Sequence, residues 1–165
     1  MSTTDEQAKF LGIYLEDHVA GATAGSQRAA RLADAEADST DAAALASFAA
    51  DVATDLDALL ALMETMGVER SRLKAGLASV GEKLGALKPN GRLSDRSPLS
   101  TIVELEAMQM AVRGKRSLWE TLKVAMSVQT PIDLDGLIAR ADDQLVVLSR
   151  LHAARVDSTF SLPPS

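Results

Sequence analysis

Apolar residues in this chain recur at steps of three and four along four long segments, without the one-in-two alternation that a half-buried strand requires. That spacing lays a stripe along one side of an α-helix. Alanine and leucine dominate and β-branched residues are sparse, so residue propensity agrees with the spacing. A helix that is apolar on one side has to bury that side against a neighbour. The pattern therefore predicts an all-α helical bundle.

Caps and breakers set the expected boundaries. The first helix starts at a capping box, Thr3 with Glu6 three residues on, and runs to about Ala33. Its stripe is Leu11, Leu15, His18, Ala22, Gly25, Ala29 and Leu32. An acidic connector over residues 34–39 leads to a second helix, capped by Thr40 and ended at Met66 by Gly67. Its stripe is Leu45, Ala49, Val52, Leu56, Leu59, Met63 and Met66. A shorter helix is expected over residues 69–87, weakened by Gly76, Gly81 and Gly85, before the turn Lys88-Pro89-Asn90-Gly91-Arg92.

The third helix opens at Ser97-Pro98, a cap followed by proline at the first helical position, and runs to about Val128. Its stripe is Leu105, Met108, Val112, Lys115, Trp119, Leu122 and Met126. The fourth opens at Thr130-Pro131, with Asp133 completing a capping box, and carries Leu134, Ile138, Ala141, Leu145, Leu148 and His152. Residues 161–165 read as a loose tail. Two hairpins joined by a long connection predict a four-helix bundle over residues 1–160, with a short extra helix in the crossover. The crossover makes the second and third helices parallel.

This layout resembles the ferritin-like superfamily. Three stretches also resemble a group of uncharacterised actinobacterial bundle proteins: Leu15 through Gly25; Asn90-Gly91-Arg92-Leu93 with Arg96 through Ser100; and Glu104-Leu105-Glu106 with Val112-Arg113-Gly114-Lys115 and Leu118-Trp119. The resemblance implies a fold and brings no activity with it. Ferritin-like di-iron enzymes place a glutamate on each of two helices and Glu-x-x-His on each of the other two, because residues three apart share a helix face. Here Leu15 and Ser149 stand three residues before His18 and His152, and Tyr14 and Leu148 stand four before. The di-iron motif is absent from this sequence.

Composition narrows the function classes. Cysteine is absent, which excludes disulfides, thiolate metal sites and a cysteine nucleophile, and suits a cytoplasmic protein. The formal charge of −6 is uneven: residues 1–68 hold 12 acids and 3 bases (−9), residues 69–96 hold 3 and 7 (+4), and residues 97–165 hold 8 and 7 (−1). An acidic chain with 3% aromatic residues is not expected to bind nucleic acid. The acidic start differs from a signal peptide, and Asp51, Asp55 and Asp57 interrupt the most apolar stretch, so no membrane span is expected.

The candidate site residues are few. His18 sits in the first stripe, read either as a core histidine with one hydrogen bond or as part of a site. Folding the two hairpins about residues 37 and 130 brings His18, Asp55, Glu104, Glu106 and His152 within about three helical turns, ~15 Å, of one another along the bundle. These five are the candidate metal ligands. Asp51 and Asp55 share a face, where solvated carboxylates are the simpler reading. Lys115 interrupts the third stripe and is expected to snorkel or to pair with Asp55 or Glu64. Arg92 and Arg96 flank the start of the third helix as candidate anion ligands.

No nucleophile elbow or phosphate loop is present, and neither a catalytic set nor a bound cofactor is expected. The leading expectation is a non-catalytic bundle acting by association, as a homodimer or with another protein, through the small-residue faces Gly21-Ala22-Gly25 and Gly76-Gly81-Gly85. The alternative is a metal- or small-ligand-binding protein built around His18.

Overall fold

A computed structural model describes residues 3–67, 97–126 and 132–161, with side chains from residue 5 onward. Four helices account for almost all of them: α1 (Thr3–Ala35), α2 (Ala42–Thr65), α3 (Pro98–Ala125) and α4 (Leu134–Phe160). No strand occurs among the described residues. The expected short helix over residues 69–87, its glycines, and the turn at residues 88–92 lie outside them, as does the side chain of Thr3.

The helix ends show which boundary signals acted. The Ser97 hydroxyl accepts a hydrogen bond from the Leu99 N–H at 3.3 Å, with Pro98 following it as the spacing predicts. Gly67 takes φ +70 after α2, a left-handed conformation that costs glycine little, and its N–H bonds the Glu64 carbonyl. Two starts differ from expectation. Residues 36–41 form a turn in which the Ser39 hydroxyl accepts from the Asp41 N–H, so α2 begins at Ala42 rather than after a Thr40 cap. Asp133 is itself the cap of α4, its Oδ1 accepting from the Gly136 N–H at 2.9 Å, so that helix starts at Leu134.

Helices α1 and α2 pair as one hairpin and α3 and α4 as the other; α1 lies against α3, and α2 against α4. The core divides into two apolar clusters along the bundle. One holds Leu15, Val19, Leu59, Leu62, Met63, Leu118, Trp119 and Leu122, and the other holds Ala29, Leu32, Leu45, Phe48, Leu105, Met108, Val112 and Leu148. Chain numbers therefore run from the first cluster to the second in α1 and α4, and the reverse way in α2 and α3. Helices α2 and α3 are parallel, and α3 begins at the end of the bundle opposite to where α2 stops.

Buried polar bonds fix the register at the far end. Glu36, in the α1–α2 turn, accepts from the Thr101 hydroxyl through Oε1 and from Arg155 through Oε2, both at 2.7 Å. One carboxylate thus ties the first hairpin to both helices of the second. Across the α3–α4 seam, Glu106–His152, Arg116–Asp142 and Lys123–Asp135 pair at one constant antiparallel register.

Candidate functional site

Between the two apolar clusters lies a layer of charged and polar side chains. Asp55 on α2 is 1% exposed, and Lys115 on α3 donates to its Oδ2. Lys115 also donates to Gln144 Oε1 at 2.6 Å, and the Gln144 amide closes the triangle by donating to Asp55 Oδ2 at 3.0 Å. Arg140 stands 3.1 Å from Oδ1, as an ion pair without hydrogen-bond geometry. Burial pushes the Lys115 ammonium below the ordinary lysine range, and its bond to Asp55 offsets part of that shift. Lys115 is thereby placed with Asp55 rather than Glu64, whose position on α2 is exposed. Asp51, one turn before Asp55 on the same helix, also acts electrostatically on this lysine.

Beside this layer a cavity of about 340 Å³ opens between α1, α2 and α3. Its floor is apolar: Phe48, Val52 and Leu59 from α2, and Met108, Leu118 and Trp119 from α3. Asp55 and Lys115 join the wall. The cavity exists because two helices lack side-chain volume where they face each other. Helix α1 contributes Gly21, Ala22 and Gly25, and α3 contributes Ala111 and Gly114. The Tyr14–Thr121 hydrogen bond and the Arg28–Glu104 ion pair set the α1–α3 register. At that register Gly21 stands level with Gly114, and Gly25 with Ala111. Gly21, Ala111 and Gly114 are exposed, so the mouth lies on this seam. A Cβ added at Gly21, Gly25 or Gly114 would meet nothing within 4 Å. Within the chain, Gly21 and Gly25 make no close helix contact and face open space.

Trp119 is fully buried in the wall, and its indole Nε1–H has no acceptor among the described residues. A buried donor left unpaired is destabilising by about 1–3 kcal/mol. His18 lines the rim of the same cavity, half-buried, with its ring edge-on to Tyr14 at 4.5 Å between centroids. Burial lowers its pKa from the usual 6.5, and the nearby Asp17 carboxylate works in the opposite direction. The core position expected of His18 belongs to Val19, 1% exposed, one residue along.

The five candidate metal ligands occupy three places. His18 and Asp55 share the cavity wall. Glu104 faces Arg28 on α1 at 3.8 Å. Glu106 and His152 form their own pair at 3.2 Å on the α3–α4 surface. Among the described residues, no three histidine or carboxylate side chains converge in a way that could hold a metal ion. Arg92 and Arg96 lie outside the described residues.

Gln144 and Arg140 went unread in the sequence, although Gln144 follows Ala141 by three residues and precedes Leu148 by four, which is core spacing. The cavity had a signal too, in glycines on a stripe whose facing helix carries Ala111 and Gly114. No family model, curated protein or solved structure matches the chain.

Proposed function

We propose that this bundle binds a small, largely apolar molecule in the cavity between α1, α2 and α3. The observation that carries the reading is a ligand-sized, mostly apolar space, open at a seam of small residues. Ligand sites are concave, mostly apolar and furnished with a few placed polar groups, at volumes of ~300–1,000 Å³. Asp55, Lys115 and Gln144 hold the wall rigid by bonding one another across three helices. The parallel α2 and α3, each antiparallel to its hairpin partner, support the ferritin-like resemblance.

The test is titration with N-phenyl-1-naphthylamine, a neutral apolar fluorophore. Saturable one-to-one binding is expected, abolished by Gly25→Leu, whose side chain enters the open space, in a variant that keeps its helical circular dichroism. Non-saturable binding, or equal binding by Gly25→Leu, refutes the reading.

A second reading, association of two copies, rests on α3. Leu99, Val103 and Met110 are 51%, 56% and 69% exposed. Their spacing of four and seven puts them on one outward strip of that helix. Sedimentation at micromolar concentration would give a dimer for the wild type and a monomer for Val103→Glu/Met110→Glu; a monomeric wild type ends this reading.

A further inference from the structure

The residues that line the cavity give its length, and the length describes the occupant. Helices α2 and α3 run parallel, and the Asp55–Lys115 bond sets residues 60 apart in number at one level. Phe48 therefore stands level with Met108, and Leu59 with Trp119. Those four residues are also where the lining begins and ends on the two helices. Each helix contributes over eleven residue steps, ~16 Å at about 1.5 Å per residue. Helix α1 lines the space from Asp17 to Gly25, eight steps or ~12 Å. Every turn of α2 and α3 within that interval supplies a lining residue, so the wall is continuous along the bundle axis.

The width follows. A volume of about 340 Å³ drawn out over ~12–16 Å leaves a mean cross-section of roughly 20–30 Å². That section admits one chain of carbon atoms and leaves no room for a second beside it. A globular body of equal volume needs about twice the section. The lining chemistry agrees. Phe48 stands at one end, and Trp119, with His18 on the rim, stands toward the other. Between them the apolar lining is aliphatic, from Gly21 and Ala22 to Val52 and Val112. Aromatic rings gain from ring partners, and the middle offers none, whereas an aliphatic chain needs only dispersion contact. Midway, Asp55 and Lys115 bond each other, with Gln144 and Arg140 beside them, so that polar point already has partners.

Resting on the small-ligand reading above, we infer that the occupant is an unbranched aliphatic chain, the alkyl or acyl part of a lipid-type molecule, laid along the bundle axis between the Phe48–Met108 and Leu59–Trp119 levels. A zigzag of carbon atoms with bonds of ~1.5 Å advances ~1.25 Å per atom, so about ten to thirteen carbons fill the space. A fatty alcohol and a fatty acid share that chain.

The test is equilibrium dialysis of the protein against 1-hexanol, 1-octanol, 1-decanol, 1-dodecanol and 1-tetradecanol. Affinity is expected to rise about fourfold per methylene and to stop rising at the filling length. 1-Adamantanol, a compact cage with as many carbons as 1-decanol, should bind more weakly once each is set against its own transfer from water to octanol. Gly25, level with Ala111, lies toward the Phe48–Met108 end. Gly25→Leu should therefore still take the short alcohols, with the rise ending at a shorter chain. The wild-type series needs no variant, so the test survives if Gly25→Leu fails to fold. Decanoate run beside decanol separates the sources: saturable binding of either supports the chain, and the tighter one identifies acid or alcohol. A rise that continues through tetradecanol overturns the inference, as does a cage that binds as well as the chain or loss of every alcohol alike in Gly25→Leu. Saturable binding of the naphthylamine fluorophore would then leave the small-ligand reading standing. Failure of the fluorophore and of every alcohol removes both.

Discussion

Replacing Lys115 by methionine keeps the aliphatic stem and removes the ammonium that bridges Asp55 and Gln144. Asp55, 1% exposed, would then keep the Gln144 amide at 3.0 Å and Arg140 at 3.1 Å. Breaking a buried ion pair from one side is destabilising by ~3–5 kcal/mol, because a charge is left behind without its partner. The surviving Arg140 puts the expectation at the low end, about 3 kcal/mol, which lowers the midpoint by roughly 6–12 °C in a domain of this size. Replacing Asp55, Lys115 and Gln144 together by leucine, methionine and leucine should recover most of the loss, since a packed apolar layer of similar volume is commonly neutral or stabilising. Urea unfolding followed by helical circular dichroism measures each variant. pH supplies an independent check. The folded-state pKa of Lys115 is depressed by burial, so the unfolded chain binds more protons between that value and 10.5. Wild-type stability relative to Lys115→Met should therefore rise with pH through that window and be at its lowest below it. A single substitution worth less than about 1 kcal/mol, with no recovery in the triple variant, would refute the claim that this layer is desolvated and shares its charges.

Gly25→Ala should stabilise the protein by about 0.8–1 kcal/mol in the same urea assay, because the added methyl meets nothing within 4 Å and alanine is the better helix former; a loss of stability would show that the space is not open. His18→Gln should flatten the acid limb of the stability curve: with its folded pKa lowered below 6.5, wild-type His18 contributes stability above 6.5 that is lost as pH falls through the folded value. An unchanged acid limb would place His18 in water. Glu36→Ala should be destabilising by ~2–3 kcal/mol, since Thr101 and Arg155 both lose the acceptor that joins the hairpins. His152→Ala, at an exposed pair, should change stability by less than about 0.5 kcal/mol.

Much of this bundle is legible in the residues, and the part that is not has a common cause. On α3 the expected stripe from Leu105 to Leu122 is the buried face, because polar residues flank it and leave one phase open. On α4 the expected Leu134, Ala141 and Leu148 are buried, but at the other three positions the core takes the residue one earlier, so Leu137, Gln144 and Leu151 are buried in place of Ile138, Leu145 and His152. On α1 the step runs the other way, one residue later, burying Val19 and leaving His18 half-buried. A single helix cannot choose between neighbouring phases. The choice is made by its partners, here through Asp55 on α2 and Lys115 on α3, whose hydrogen bonds with Gln144 hold that face of α4 inward.

The cavity follows from that choice, which is why no single stripe announces it. With Val19 inward, α1 presents its glycines to the seam with α3 instead of to the centre of the bundle. Seen alone, Gly21-Ala22-Gly25 reads as a close-packing face; opposite Ala111 and Gly114 it becomes a gap, since two small faces at one register fill less volume than the helix spacing set elsewhere by Leu15, Leu32 and Trp119. Alanine would fit at those glycines and stabilise the helix, so the sequence forgoes about 1 kcal/mol at each position. Apolar surface facing a void forfeits its dispersion contacts as well. Two separate losses at one place are what the proposed small-ligand site would account for.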